Sequence, residues 1–206
     1  MKYKGIELEG LDKKVKLSHS RFMETDEGTD WIDKLLTCDK AALTPTQFHE
    51  VSALSSVINM DYQICNGGIS QYVCNGYHEY RAPYGDDDVA QLDKHEQYTM
   101  LCKLADLLAC AFGEGGKAAR IVDWARSLDV YDEDEEERYA GMDDSYYDIC
   151  KEVAFLCEAY AQYLCKSYGI ASPVDEGGTP RGAPFSLAWA NRARVSMKRV
   201  VCDICR

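Results

Sequence analysis

The sequence lacks the segments that direct a chain into or across a membrane. No uninterrupted apolar stretch approaches the roughly 20 residues that a transmembrane helix needs. Residues 1–5 include two lysines and no apolar run of the kind that forms a signal peptide. No N-x-S/T glycosylation sequon occurs either. We therefore expect a cytoplasmic protein that makes no contact with a membrane.

Motifs of known catalytic sites are also missing. The sequence contains no H-E-x-x-H zinc motif and no G-x-S-x-G nucleophile motif, and its four histidines share no metal-ligand spacing. Cys202 and Cys205 form a lone C-x-x-C, without the second ligand pair that a structural zinc ion requires. We expect no metal, no cofactor and no catalytic residue, and the role of these two cysteines stays open.

Basic residues are too few for the body of the chain to bind nucleic acid directly. There are 23 Lys and Arg residues against 35 Asp and Glu residues, a net charge of −12, whereas phosphate binding needs clustered positive charge. The segment from Asp129 to Asp148 alone carries a net charge of −9, which can attract a basic protein partner. The residues assigned to this acidic surface are Asp132, Glu133, Asp134, Glu135, Glu136, Glu137, Asp143, Asp144 and Asp148.

Periodic apolar residues predict a chain built from helices. The clearest helix begins at Thr44, because Thr44 and Gln47 form a capping box and Pro45 occupies the first helical position. Residues 66–68, Asn-Gly-Gly, are predicted to end it. Its predicted apolar face comprises Phe48, Val51, Leu54, Ile58 and Tyr62.

Further helices are predicted over residues 30–36, 69–74, 89–112, 117–127 and 145–169, and from residue 185 onward. Ser145 and Asp148 resemble a helix start, which would place Asp143, Asp144 and Asp148 where the helix dipole favours negative charge. The predicted fold class is therefore all-α, a compact multi-helix single domain with a C-terminal helical extension.

Composition divides the chain into three parts. Residues 1–28 are polar and mixed, and form an N-terminal arm or a short strand. Residues 29–169 form the helical core domain. Residues 170–206 comprise a linker rich in proline and glycine and a basic C-terminal helix.

The ten cysteines are predicted to be reduced and mostly buried. Cys150, Cys157 and Cys165 recur at helical core spacing, as do Cys102 and Cys110. A free cysteine in a reducing compartment behaves as a small apolar residue. We therefore do not expect a disulfide framework.

The most distinctive stretch lies where the long helix is predicted to turn. Its polar and glycine residues can form a buried hydrogen-bond hub that fixes the corner, with Gln71 and Asn75 bonding to backbone groups. The same side chains could instead line a ligand pocket. The residues concerned are Asn66, Gly67, Gly68, Gln71, Tyr72 and Asn75.

This motif, N-G-G-x-x-Q-Y with an asparagine four residues after the glutamine, resembles the signature of a bacterial domain of unknown function typified by a DNA-mimic protein. The resemblance covers about residues 44–168, and it departs at Gln63 and Ser70, where family members commonly carry acids. It implies an all-helical domain that can form a homodimer. In the typifying member, surface carboxylates stand in for DNA phosphates and occupy a transcription factor.

Three functional hypotheses remain open at this point. The first is a non-enzymatic protein-interaction domain whose acidic surface binds a basic DNA-binding protein. The second is a small-ligand-binding protein or enzyme with a pocket near Asn66, Gln71 and Asn75. The third is an accessory protein whose acidity only maintains solubility.

Overall fold

The computed structural model describes residues 1–8, 30–76, 94–129 and 136–170. These residues form six α-helices and one small β-hairpin, which confirms the all-α class. Most of the predicted N-terminal arm, the acidic residues 132–135 and the predicted C-terminal helix lie outside the described residues. Predictions about those segments therefore stay predictions.

The helices in chain order are α1 (Asp30–Leu36), α2 (Pro45–Cys74), α3 (Lys94–Phe112), α4 (Gly115–Asp129), α5 (Glu136–Tyr147) and α6 (Cys150–Tyr168). A short 3-10 turn, Lys40–Ala42, precedes α2. Within the described ranges, no helix is both long enough and apolar enough to cross a bilayer.

A hairpin at the N-terminus packs against the helices. Strands β1 (Lys2–Tyr3) and β2 (Ile6–Glu7) pair antiparallel through a two-residue turn. Both turn residues have positive φ, +47° at Lys4 and +81° at Gly5, as a tight hairpin turn with matching twist requires. Tyr3 is buried, and its hydroxyl donates to Asp106 of α3 at 3.1 Å. The short strand suggested by the sequence is therefore present.

Helix α2 begins as predicted and occupies the centre of the fold. The Thr44 side chain accepts from the Gln47 amide at 3.3 Å, and the Gln47 side chain accepts from the Thr44 amide at 2.8 Å. Helices α1, α3, α5 and α6 all contact α2. Consequently the prediction of one apolar face was too narrow, because residues 51–54, 56–57 and 59–64 are buried around much of the helix circumference.

Polar residues are buried in this central helix, and some of them are satisfied by hydrogen bonds to backbone carbonyls of the same helix. The Ser52 hydroxyl donates to the Phe48 carbonyl at 2.8 Å, and the Ser56 hydroxyl to the Ser52 carbonyl at 3.0 Å. Bonding to the carbonyl four residues earlier lets a hydroxyl be buried inside a helix. Asp61 and Gln63 are also buried, and their partners belong to the site described below.

Buried or half-buried carboxylates join the remaining helices. Glu158 of α6 is fully buried and accepts from the amides of Trp31 and Ile32, which caps the start of α1. Glu50 of α2 accepts from the hydroxyls of Tyr160 and Tyr168. Burial raises the pKa of Glu50, but these hydroxyls and nearby Lys103 outweigh it, so its pKa is lowered overall.

The prediction that the cysteines are mostly buried was only partly correct. Cys150, Cys157 and Cys165 are buried in α6, and burial raises the pKa of Cys165 to about 12. Cys110, however, is exposed and lies 3.4 Å from the Asp106 carboxylate, and Cys102 is half-buried. The core face of α3 comprises Met100, Leu101, Leu104, Leu107 and Leu108 instead. All eight cysteines of the described ranges are free thiols.

Candidate functional site

The Asn-Gly-Gly motif bends α2 without ending it completely. Gly67 has φ −159° and ψ 20°, and Gly68 has φ 74° and ψ −176°, so helical geometry is lost at both. The chain then resumes a helical course to Cys74, where Asn75 and Gly76 end it as predicted. The positive φ of Gly68 is a backbone conformation that glycine adopts without steric cost. We call residues 67–68 the Gly-Gly kink.

Amide side chains around the kink form a hydrogen-bond hub centred on Gln63. The Gln63 side-chain oxygen accepts from Gln71 Nε2 and from Asn75 Nδ2, each at 2.8 Å. The Asn66 amide group donates to the Tyr62 carbonyl at 2.8 Å. A hydrogen-bond hub was predicted, but Gln71 and Asn75 were expected to bond backbone groups. Both donate to the side chain of Gln63 instead. The prediction of a buried corner was also too broad, since Asn66, Gly67 and Asn75 are exposed.

Gly67 is required by the way Gln71 folds back over it. A Cβ atom at residue 67 would lie 2.2 Å from Gln71 Oε1 and 2.8 Å from Gln71 Cβ, both far inside van der Waals contact. Because the second of these atoms is close to the backbone, the overlap cannot be relieved by moving only the tip of the side chain. The spacing G-x-x-x-Q in this motif therefore has a direct steric cause.

Gly68 is required by the approach of Asp143 from α5. The Asp143 carboxylate accepts from the Ile69 amide at 2.7 Å, and so caps the helical segment that restarts after the kink. A Cβ atom on residue 68 would lie 2.5 Å from Asp143 Oδ2. Asp143 was predicted to belong to the acidic surface, but the structure places it half-buried against the kink, with its carboxylate occupied by a backbone amide.

Two tyrosines of α5 add further bonds to the same part of α2. Tyr146 is fully buried, and its hydroxyl donates to Asp61 at 2.5 Å. Burial and the Asp61 carboxylate raise the pKa of Tyr146 well above its usual value, so it stays a neutral donor. The Tyr147 hydroxyl donates to the Ile64 carbonyl at 3.2 Å. Together with Asp143, these contacts fix α5 to the kinked helix.

Tyr72, the tyrosine of the motif itself, stabilises the helical segment after the kink. Its side chain is fully buried, and its hydroxyl donates to Gln97 of α3 at 2.6 Å. Tyr72 thus secures the short segment after the kink to the opposite side of the core.

Opposite these inward contacts, Asp144, Asp148 and the ring of Tyr147 are exposed. We call these three residues, which lie at and directly after the C-terminal end of α5, the outer face of α5. The prediction of a helix start at Ser145 was wrong, because α5 continues to Tyr147 and the next helix begins at Cys150. Ser145 instead donates its hydroxyl to the Gly141 carbonyl within α5. Asp144 therefore lies in the last turn of a helix, while Asp148 lies just before the start of α6.

The acidic residues 132–137 lie mostly outside the described part of the chain. Residues 132–135 lie outside the described residues, and Glu136 and Glu137 lie in the first turn of α5, with side chains that are also outside the described part. Of the nine acidic residues predicted for protein binding, the structure places Asp144 and Asp148 together on an exposed surface.

A groove of about 520 Å³ lies between α4 and α5, beside Asp148. Its walls include Arg120, Asp123 and Asp148, and Trp124 lies among its apolar residues. The Trp124 indole donates to the Met142 carbonyl at 3.1 Å, which joins the two helices under the groove. The groove does not include Asn66, Gln71 or Asn75, the residues for which a ligand pocket was considered.

Asp61 and Gln63 are site residues that the sequence did not single out: Gln63 is the centre of the hub, and Asp61 accepts from the Tyr146 hydroxyl. Both lie directly between apolar neighbours in α2, where a polar residue that cannot reach solvent needs a partner. Their position therefore indicates that both residues have hydrogen-bond partners. Which partners they have depends on where α5 and the kink lie. The Gln63 side-chain oxygen accepts two hydrogen bonds, as a carboxylate oxygen could.

The chain matches the family model described as DMP19-like protein over residues 49–167. The match includes the kink, the hub and all of α5. No curated protein and no solved structure matches the chain.

Proposed function

The chain belongs to the DMP19-like family, and from this premise we propose that it is a protein-interaction domain whose carboxylates mimic DNA phosphates and bind a basic DNA-binding protein. The observation that carries the proposal is the position of Asp144 and Asp148. Both are exposed; Asp144 belongs to a helix that three inward side chains hold in place, and Asp148 directly follows the end of that helix.

A fixed position matters for mimicry of DNA. Phosphates on a duplex have a set spacing, and carboxylates on a mobile segment would lose conformational entropy when they adopt it. The contacts of Asp143, Tyr146 and Tyr147 with α2 reduce that loss for α5. On this proposal the Asn-Gly-Gly motif positions the acidic helix and does not itself bind the partner.

The acidic residues 132–137 extend the same proposal. They precede the outer face in the sequence and add six carboxylates close to it along the chain. Their field would increase the rate of encounter with a basic protein and would be screened by salt. We expect them to contribute to the association rate, and Asp144 and Asp148 to contribute to the stability of the complex.

The side-chain amides around the kink already form hydrogen bonds within the protein, and this argues against the ligand-pocket hypothesis. The amide groups of Gln71 and Asn75 both donate to Gln63, and that of Asn66 donates to a backbone carbonyl. A small ligand would have to displace these bonds. We therefore keep the protein-interaction function as the single proposal.

The test is capture of DNA-binding proteins by the immobilised full-length chain, followed by competition with duplex DNA. We expect a captured basic protein to be released both by duplex DNA and by moderate salt. Neutralising the outer face with D144N and D148N should weaken capture, whereas the charge-matched change E7Q with E96Q, on the hairpin and α3, should not. Capture that duplex DNA cannot compete with, or that the two double variants alter equally, would refute mimicry.

A further inference from the structure

Tyr147 is an unusual member of an acidic surface because its aromatic ring is exposed. Among the described residues it is the one large apolar side chain that is exposed, with 48% of its surface accessible. The bond from its hydroxyl to the Ile64 carbonyl restricts the ring's rotation. A restrained, exposed ring loses little conformational entropy on binding, and aromatic residues of this kind are frequent at the centres of protein interfaces.

Exposed carboxylates flank this ring along the chain. Asp144 precedes it by one helical turn, and Asp148 follows it directly. Burial raises the pKa of Tyr147, and the charges of Asp143 and Asp144 raise it further. Within the described residues, no lysine or arginine forms an ion pair with Asp144 or Asp148.

Resting on the proposed function, we propose that the outer face of α5 receives an arginine side chain of the partner, with the guanidinium stacked on the Tyr147 ring and bonded to Asp144 or Asp148. Guanidinium is planar, stacks on aromatic faces and donates to carboxylates through a rigid fork. Lysine offers a compact, strongly hydrated ammonium that gains less from the ring. The fork already favours arginine on carboxylates, and the ring adds to that preference because a guanidinium stacks on it.

The probes for this proposal are fluorescently labelled nona-arginine and nona-lysine peptides, titrated into the full-length protein at low and moderate salt. Wild type should bind nona-arginine more tightly than nona-lysine. The change Y147L removes the ring but keeps an apolar side chain, and should reduce the arginine-to-lysine affinity ratio about threefold. The change Y147F removes the hydroxyl bond to Ile64 but keeps the ring, so the ratio should be retained.

The outcomes separate this inference from the function on which it rests. If neither peptide binds wild type in a salt-dependent way, both the proposed function and the arginine site are refuted. If both peptides bind wild type with equal affinity, or if Y147L leaves the ratio unchanged, the arginine site alone is refuted. A loss of the ratio in Y147F equal to that in Y147L would also overturn the proposal, because the hydroxyl bond and not the ring would then be responsible. The wild-type comparison needs no variant, so it decides even if Y147L folds poorly.

Discussion

The two sides of α5 carry neighbouring acidic residues with opposite tasks. Asp143 turns inward and caps the helical segment after the kink, whereas Asp144, the next residue, is exposed. Tyr146 is fully buried on Asp61, whereas the ring of Tyr147 is half-exposed. The comparison teaches that the number of acidic residues in a segment does not measure the charge exposed on the surface. A carboxylate such as that of Asp143, which accepts a hydrogen bond from a backbone amide, stabilises the fold instead.

The largest expected effect follows from adding a methyl group to the kink. In Gly68→Ala, the positive φ and the overlap with Asp143 Oδ2 both oppose folding, so we expect a loss of about 3 kcal/mol in the free energy of unfolding. Urea denaturation measures it. Gly169→Ala is the control, because Gly169 also has positive φ but open space around its Cβ position, and it should lose only about 1 kcal/mol.

A second variant separates the two causes at Gly68. Combining Gly68→Ala with Asp143→Ala removes the atoms that the new methyl group would meet. The combined loss should then be smaller than the sum of the single losses. Strict additivity would show that the approach of Asp143 does not constrain residue 68.

Removing the hydroxyl oxygen from each of the two adjacent tyrosines, Tyr146 and Tyr147, sharpens the comparison. Tyr146→Phe leaves the buried Asp61 carboxylate without its hydroxyl donor, and we expect a loss of about 2 kcal/mol in unfolding free energy. Tyr147→Phe breaks a half-buried bond to a carbonyl and should lose about 0.5 kcal/mol or less. Chemical denaturation of both variants at neutral pH gives the difference. Equal losses would contradict the assignment of inner and outer contacts.

The adjacent aspartates make the same comparison for charge. Asp143→Ala removes the acceptor of the Ile69 amide and should lose about 1 kcal/mol, the usual value of a helix cap. Asp144→Ala removes an exposed carboxylate and should change stability by less than about 0.5 kcal/mol. If Asp144→Ala is the more destabilising, the division of α5 into an inner and an outer side is wrong.

The smallest expected effect has the opposite sign. Asp144 lies in the last turn of α5, where the helix dipole disfavours negative charge, so Asp144→Asn should stabilise the fold by about 0.3 kcal/mol at low salt. Screening should abolish the gain in high salt. Thermal unfolding at the two salt concentrations tests this, with the exposed Glu7→Gln on the hairpin as the reference.

Local features of the sequence were sufficient for much of the fold. The start of α2 is specified by Thr44, Pro45 and Gln47, through hydrogen bonds within four residues. Helix α6 ends at Gly169, which has φ 71° and whose amide donates to the Cys165 carbonyl. The helix ends around residues 36, 74 and 112 were predicted for similar reasons. Such signals need no knowledge of distant residues, because the donor and acceptor lie in the same turn.

Errors arose where residue type or spacing alone did not decide where a helix begins or which of its faces is covered. The helix start at Ser145 was inferred from residue types alone, but Ser145 bonds within α5, whose beginning lies in the acidic run. The burial of Cys102 and Cys110 was inferred from spacing, but α3 presents another stripe to the core. A periodic pattern shows which residues share a face and leaves open which face is covered.

By itself, the sequence determined the helical class, the capped start of α2 and the need for glycine at residue 67, because these depend on short-range sterics and hydrogen bonds. Only the tertiary structure decided the roles of the aspartates. Asp143 and Asp144 are chemically identical neighbours, but successive residues on a helix point about 100° apart. The packing of α5 against α2 turns the first toward the Ile69 amide and leaves the second exposed.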